Sequence, residues 1–358
     1  MKILDKYIIK KFLGTFFFSL ALILSVVVVW DITEKLEDFI QKQAPIKAIV
    51  FDYYFNFVPY FASLLAPLFI FIAVIYFTAR LANDTEIVAI LCSGVSFRRF
   101  LMPYLVSATL LASLSFYFQG WVIPHSNKVR LEFENTYIRN KFVFSGRNIH
   151  RQISPGEFFY MESYNNLQNM GYRFSYEKFT EGRLVFKLAS ERIGWDSIAH
   201  QWVLDNYSIR TFHDSTETFV KGVKMDSTFA FSPEDFSKRI ENIETMDSGE
   251  LDAFIDREAA RGSENIDFYK VEKYGRYANP FATFILTIIG VSLASRKVRG
   301  GIGMQIVLGL VLSFTYIFMM QISNTFALYG GLPVSIAVWI PNLVYAVIAL
   351  VLLGKAPK

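Results

Sequence analysis

The chain has a single cysteine, Cys92, among its 358 residues. An intrachain disulfide is therefore excluded, and any domain outside the cytoplasm has to be held together by its apolar core alone. Histidine is also scarce, and the four histidines share no metal-ligand spacing: His125, His150, His200 and His213. We therefore expect no metal site and no other cofactor.

Further absences restrict the classes of function. The sequence has no G-x-x-x-x-G-K-[ST] string, so it does not bind ATP through a phosphate-binding loop. Asp and Glu are almost absent from its long apolar runs, whereas ion-coupled carriers keep ionisable residues at mid-membrane. The net charge is only +4 and no basic run is dense, so we expect no nucleic-acid partner. If the chain is a transporter, a partner has to supply the energy.

Apolar residues are abundant by contrast. They make up 53% of the chain, and the mean hydropathy is +0.32. Apolar runs of membrane-spanning character lie at about 12–30, 53–79, 100–121, 280–295, 302–322 and 334–353. Basic residues before, between and after these runs place both termini in the cytoplasm: Lys2, Lys6, Lys10, Lys11, Arg80, Arg98, Arg99, Arg296, Lys297, Arg299, Lys355 and Lys358.

Roughly 150 residues separate the third run from the fourth, which is an ordinary domain size. Short segments rich in aromatic and β-branched residues fill most of this region, for example 158–161, 172–176 and 184–188. They indicate an antiparallel sandwich or jelly roll. The predicted fold is an α-helical membrane protein with six transmembrane helices and an inserted all-β, jelly-roll-like periplasmic domain between helices 3 and 4. The predicted parts are residues 1–123, 124–272 and 273–358.

The stretch 83–94 between the second and third runs predicts a short surface helix, because about three turns cannot cross a bilayer. Asn83 is the expected N-cap, with Glu86 completing a capping box. Ile87, Ile90 and Leu91 form an apolar stripe, and Gly94 fits a left-handed C-terminal position. The helix is either an interfacial connector or a docking helix that carries force from a cytoplasmic partner into the membrane.

Several local strings resemble the LptF/LptG-type permeases of the lipopolysaccharide export system. They are Asp84–Ala89 with Ser93–Gly94, Arg299–Gly303, Leu332–Pro333 and Trp339–Asn342. Trp195–Asp196 and Trp202–Leu204 are similar to a recurring pattern in the family's outer domain. The resemblance covers essentially the whole chain. Leu4–Tyr7 and the Arg299–Gly301 string favour the LptG member over LptF.

The resemblance implies a permease of an ABC-type exporter. Two homologous permeases pair with a cytoplasmic ATPase dimer, draw lipopolysaccharide sideways out of the inner membrane, and pass it through the β-domain to a periplasmic bridge protein. ATP hydrolysis belongs to the partner chain, so this chain is expected not to be an enzyme. The residues expected to couple to the ATPase are Asp84, Glu86, Ile87, Ile90, Leu91 and Gly94.

The same resemblance places a substrate cavity and a lateral gate between the first and fifth spans. The residues expected there are Leu24, Val28, Lys35, Lys42, Phe314, Phe318 and Gln321. Lys35 and Lys42 stand among several carboxylates, so they either contact lipid phosphates or belong to a solvated helix face. Phe174 and Phe186 are expected to line a lipid groove in the periplasmic domain.

Two other classes of function stay open. A membrane-anchored binding or scaffold protein would use the outer domain alone, although Pro59, Pro67, Pro103 and Gly290 in or near the spans argue against interchangeable anchors. A lipid-modifying enzyme needs convergent His, Asp or Glu at the membrane surface, and the sequence shows no such set. Co-purification of an ATPase would distinguish a permease from both.

Overall fold

The computed structural model describes residues 2–139, 147–213, 216–233, 236, 240–263, 265–296 and 301–356, without the side chains of 240–242 and 301. Lys297, Arg299, Gly300 and Lys358, which the sequence analysis used, lie outside the described residues. The chain forms two compact units. The membrane unit comprises Met1–Ile138, Glu244–Gly249 and Asp267–Lys358, and the β unit comprises Arg139–Ile243 and Glu250–Ile266.

The first half of the membrane unit is helical throughout. A short helix, Ile46–Ala48, and a π-helical stretch, Ile49–Tyr54, lead into the second span. Another π-helical stretch, Phe118–Val122, continues the third span into the helix that leads to the β unit. The helices are α1 Ile3–Gln41, α2 Phe55–Asn83, α3 Glu86–Cys92, α4 Phe97–Tyr117 and α5 Ile123–Tyr137.

The β unit contains one antiparallel sheet whose strands pair in chain order. The strands are β1 Arg147–Ser154, β2 Glu157–Asn165, β3 Met170–Thr180, β4 Arg183–Asp196, β5 Gln201–His213 and β6 Thr216–Ser227. The helix α6, Ser248–Ala260, follows the sheet. Hairpin connections explain the order, since each strand returns beside the one before it. The described strands thus form an up-and-down sheet.

The chain then returns to the membrane unit through α7 Ile266–Ala294, α8 Gly301–Tyr329, a short helix Val334–Ala337, and α9 Ile340–Gly354. In the described part of the chain, six helical stretches are long and apolar enough to cross a membrane. The predicted fold class is therefore confirmed: six membrane helices with an antiparallel β-sheet inserted between the third and fourth. The predicted domain boundary at residue 124 falls inside α5.

Helix α2 contributes to both of the large apolar cores in the membrane unit. One core combines α2 with α1, α3 and α4, for example through Ile8, Val74 and Phe100. The other combines α2 with α7, α8 and α9, for example through Ile75 and Tyr316. The structure therefore places α1 and α8 in different cores, each packed against α2.

Two glycines allow this close packing around α2. A Cβ added at Gly290 of α7 would lie 2.8 Å from Val74 Cγ1 and 3.3 Å from Phe71 Cδ2, both on α2. A Cβ at Gly309 of α8 would overlap Ile75 of α2. Since apolar helices gain no hydrophobic energy from each other in lipid, such close backbone approach is a main source of their association.

The α2–α7 contact gives a test of this packing. We expect Gly290→Ala to lower the free energy of unfolding by about 1–3 kcal/mol, because the added methyl overpacks a tight site. Gly303→Ala in α8 is the matched control, since nothing lies within 4 Å of its added Cβ. Thermal unfolding of the purified protein in detergent compares the two. Equal midpoints for both variants would contradict the close approach.

Candidate functional site

The short helix between the second and third spans differs at its start from the prediction. Asn83 is the last residue of α2, and α3 begins at Glu86 after Thr85, whose φ is +60° and whose side chain caps no helix N–H. The expected capping box is therefore wrong: the spanning helix continues its own hydrogen bonds, with the Asp84 N–H donating to Arg80 O at 2.9 Å. Gly94 has φ +84°, as predicted.

The apolar stripe of α3 faces the chain's own core. Ile87 is only 1% exposed and packs in the cluster that contains Ile8 and Phe97, with Ile90 and Leu91 against its edge. On the other side of α3, Val88 is 57% exposed, and Ala89 and Cys92 are exposed as well. A partner that docks on α3 would meet this outer surface, whereas the predicted stripe positions the helix.

Charged side chains surround α3. Asp5 at the start of α1 forms an ion pair with Arg99 in the first turn of α4, with a distance of 2.7 Å from Oδ2 to Nη2. Glu86 lies near the Tyr7 side chain of α1. Asp84 lies 3.8 Å from Arg80 Nε in an exposed pair. The Asp5–Arg99 pair was missed in the sequence because 94 positions separate the two residues, and no local pattern links them.

The residues expected at the lateral gate fall on two peripheral helices. Only 17% of the most apolar stretch of α1 and 22% of that of α8 are buried, against 61% for α7. On α8, Phe314 and Phe318 are 60% and 66% exposed, and Gln321 is exposed. On α1, Leu24 and Val28 are half-buried. Within one chain these two helices pack against α2, so their free faces remain for lipid or another protein.

Lys35 has partners inside its own chain. Its ammonium group lies 2.8 Å from the Asp31 carboxylate one turn earlier, donates to the Tyr53 hydroxyl, and lies 4.9 Å from the centre of the Tyr53 ring. The hydroxyls of Tyr53 and Tyr54 donate to Asp31 at 3.3 and 3.1 Å. Asp31 is buried, so Lys35 neutralises a carboxylate that water hardly reaches.

Lys42 has a different environment. Its ammonium group is exposed and donates to the Ile138 carbonyl oxygen at 3.3 Å. A carbonyl oxygen carries no full charge, so this bond differs in kind from the ion pair of Lys35 with Asp31. The i, i+4 spacing of Asp31 and Lys35 was visible in the sequence as a helical ion pair, but the contribution of the two tyrosines was not.

The inner face of the sheet is an aromatic surface covered by the chain itself. Phe174 is 1% exposed and Trp202 is fully buried. After β6, the segment Thr228–Ser232, which we call the strap, lies on this face. The strap's Phe229 ring is 5.3 Å from that of Phe174, and Phe231 stacks on Phe159 at 4.5 Å. Trp202 Nε1 donates to Phe231 O at 2.9 Å.

Phe186, the second residue expected in the lipid groove, is half-buried beside Tyr176, with ring centres 6.1 Å apart. Phe174 and Phe186 thus belong to one apolar cluster, which Phe229 and Phe231 partly cover, and a lipid groove there stays a prediction. The sequence analysis missed these two residues, although their i, i+2 spacing is the pattern of an extended segment with one buried face.

Two ionisable groups lie where the edge of this surface meets water. Lys178 donates to Glu157 at 3.0 Å and, with bonds from Ser154 and Tyr176, holds the pKa of Glu157 below its usual range. Burial, together with Glu157, raises the pKa of Tyr176 to about 12. Glu157 is therefore ionised and Tyr176 neutral at neutral pH, which leaves the aromatic side of Tyr176 on the apolar surface uncharged.

The Lys35 contacts predict an asymmetry between the two lysines. We expect Lys35→Met to lower the free energy of unfolding by about 1–3 kcal/mol, because it leaves a buried carboxylate without its cation. We expect Lys42→Met to stay within about 0.5 kcal/mol of the parent. Adding Asp31→Asn to Lys35→Met should recover most of the loss. Denaturant unfolding in detergent measures all three, and equal effects of the two lysines would contradict the assignment.

The family model described as lipopolysaccharide export system permease LptF/LptG matches residues 6–355, which is nearly the whole chain. The match does not distinguish LptF from LptG. A comparison with curated proteins returned no match. The matched range includes all six membrane helices, α3 and the inserted sheet. The chain belongs to the LptF/LptG family of lipopolysaccharide export system permeases.

Proposed function

We propose that this chain is the permease subunit of an ABC-type exporter that extracts lipopolysaccharide from the inner membrane, with ATP hydrolysis in a separate cytoplasmic ATPase dimer. The observation that carries the proposal is the family match over residues 6–355 on a fold of six membrane helices with an inserted β-sheet. Family and helices indicate a multi-pass inner-membrane protein. Lys2 and the lysines in the first turns of α1, Lys6, Lys10 and Lys11, support a cytoplasmic N-terminus and a periplasmic β unit.

The ATPase is proposed to dock on α3. The helix is too short to span the membrane, and its inner stripe anchors it to the core around α1, α2 and α4. A displacement of its outer surface at Val88, Ala89 and Cys92 is therefore transmitted to the helices packed against α3. Asp84, Glu86 and Gly94 are proposed to belong to this coupling region, with Ile87, Ile90 and Leu91 as its anchor.

The lateral gate is proposed to lie between two permeases. Within this chain α1 and α8 belong to different cores, and each leaves an apolar face free. If a second homologous permease pairs with this one, the free face of α1 meets α8 of the partner, and the free face of α8 meets α1 of the partner. Helices in lipid separate at modest cost, so bulky side chains such as Phe314 and Phe318 permit an opening for acyl chains.

Of the two lysines at the outer end of α1, Lys42 fits a contact with lipid phosphates better. Its side chain is exposed, whereas that of Lys35 is mostly buried against Asp31. A phosphate that drew Lys35 away would leave Asp31 with the hydroxyls of Tyr53 and Tyr54 as its donors among the described side chains, and neither carries a charge. Lys35 is therefore proposed to hold α1 in place, and Lys42 to be the site of phosphate contact.

Acyl chains are proposed to pass along the inner face of the sheet toward a periplasmic bridge protein. Phe229 and Phe231 now cover that face, so transfer requires the strap to move. This same observation favours the alternative function, a membrane-anchored periplasmic binding or scaffold protein, since a permanently filled sheet offers lipid no path. Crosslinking of lipid to the sheet distinguishes the two.

The outer surface of α3 gives the test of the permease function. We expect Val88→Asp to reduce ATPase co-purification at least tenfold, because burying a valine at an interface contributes about 1.5–3 kcal/mol and 1.4 kcal/mol corresponds to tenfold in affinity. Ile3→Asp is the control, since Ile3 is also exposed and lies outside α3. Docking on α3 would be contradicted if the wild-type protein co-purified no ATPase. It would also be contradicted if Val88→Asp co-purified as much ATPase as the wild type.

The strap gives a test of the lipid path. We place a photo-crosslinking amino acid at Phe174 and compare lipopolysaccharide capture with and without Phe229→Ala and Phe231→Ala. Capture should rise several-fold when the two rings are removed, because they occupy the apolar surface. The control pair is Phe158→Ala and Phe179→Ala, whose rings lie 5.7 Å apart outside the inner core. Crosslinks to protein alone in every variant would favour the scaffold function.

A further inference from the structure

The start of α1 is bonded to the beginning of α4, although the two are far apart in the chain. Asp5 Oδ2 lies 2.7 Å from Arg99 Nη2 and accepts the backbone N–H of Lys2 at 2.9 Å. Asp5 is buried, and Arg99 lies in the first turn of α4 just beyond the α3–α4 connection, where its N–H donates to Ser96 Oγ. A short bond between full charges at a buried carboxylate is among the stronger polar contacts in a protein.

Apolar packing ties α3 itself to the same part of α1. Ile87 belongs to the apolar cluster that contains Ile8 and Phe12, and Glu86 lies near the Tyr7 side chain. α3 and the first turn of α4 therefore contact the first turns of α1 by apolar packing and by the Asp5–Arg99 ion pair. Chain connectivity alone would link α3 only to α2 and α4.

Helix α1 is suited to carry a displacement along its length. It runs without interruption from Ile3 to Gln41 and contains no proline, whereas α2 contains Pro59 and Pro67 and α4 contains Pro103. Proline removes a backbone hydrogen bond and lets a helix bend. α1 is also the least buried of the six described spans, and its buried side chains Ile8, Phe12, Phe16 and Leu20 pack into one core.

We propose that Asp5 and Arg99 are the positioning pair that transmits a displacement of α3 directly to α1, the helix expected at the lateral gate. The proposal rests on the proposed docking of an ATPase at α3. When the α3–α4 connection moves, Arg99 moves with it, and Asp5 follows because separation would leave a buried carboxylate without a cation. α1 then moves as one rod, independently of any bending in α2 and α4.

The experiment uses the full permease complex with its ATPase in lipopolysaccharide-containing vesicles, and measures lipid exported per ATP hydrolysed. Asp5→Arg and Arg99→Asp place two like charges together, and each alone should reduce export per ATP at least tenfold. ATPase co-purification should persist, because the outer surface of α3 is unchanged. The double variant Asp5→Arg with Arg99→Asp restores an ion pair of opposite polarity and should return export per ATP to within about threefold of the wild type.

The matched control is the reversal of Arg173 and Glu162 on the neighbouring strands β3 and β2. This pair is exposed and 2.9 Å apart, and single changes in it should leave export per ATP unchanged, as expected for a weak surface pair. Asp5→Asn, which removes the charge and keeps the shape, serves if Asp5→Arg does not fold, and it should also lower export per ATP. Retained size-exclusion and thermal unfolding profiles identify folded variants.

The outcomes separate this proposal from the docking of the ATPase. Unchanged export per ATP in a folded Asp5→Asn, or a charge-swapped double variant no better than its parents, would overturn the role of the pair while docking stands. Failure of the wild-type chain to bind an ATPase would instead remove the proposed function on which the pair depends.

Discussion

The close packing of α2 against both halves of the membrane unit determines how the other helices are arranged. Val74 of α2 meets Gly290 of α7, and Ile75 of α2 meets Gly309 of α8. In lipid these contacts replace the hydrophobic force that would hold a soluble core together. Because α2 is shared by the two cores, α1 is confined to one and α8 to the other. Each of these two helices keeps a free apolar face, on which the proposed lateral opening between two permeases depends.

Features set by residues close together in the sequence could be predicted, whereas contacts between residues far apart in the sequence could not. Long apolar runs predict spanning helices because backbone hydrogen bonds must be satisfied inside the bilayer, and alternation predicts the sheet. The start of α3 was mispredicted because two local rules competed at Asn83, and continuation of α2 prevailed over capping. The Asp5–Arg99 pair and the tyrosines around Asp31 depend on how helices pack, which no local spacing reports.

In the β unit, the apolar face of a single sheet has to be covered, a constraint that the amino-acid composition does not reveal. One sheet with an aromatic face must cover that face, since large exposed apolar surfaces are rare outside binding sites. Here Phe229 and Phe231 provide part of the cover by ring contacts and by the bond from Trp202 to Phe231 O. Ring packing has little directional requirement, so an acyl chain can replace it without leaving many polar groups unpaired. The surface proposed for acyl chains is therefore one that the chain's own aromatic side chains can also cover.

Helix α1 is held both by polar ties at buried carboxylates and by apolar packing. A buried carboxylate lies near each of its ends, with Asp5 paired to Arg99 of α4 and Asp31 to Lys35 of α1 itself and the hydroxyls of Tyr53 and Tyr54. Polar ties of this kind are costly to break because they leave an unpaired buried charge, whereas the apolar contacts between them are exchanged for lipid at little cost. Between these two ties, Ile8, Phe12, Phe16 and Leu20 pack one face of α1 into a core, and the other faces are free. In the proposed coupling, Asp31 is the fixed point about which α1 turns when a displacement enters at Asp5.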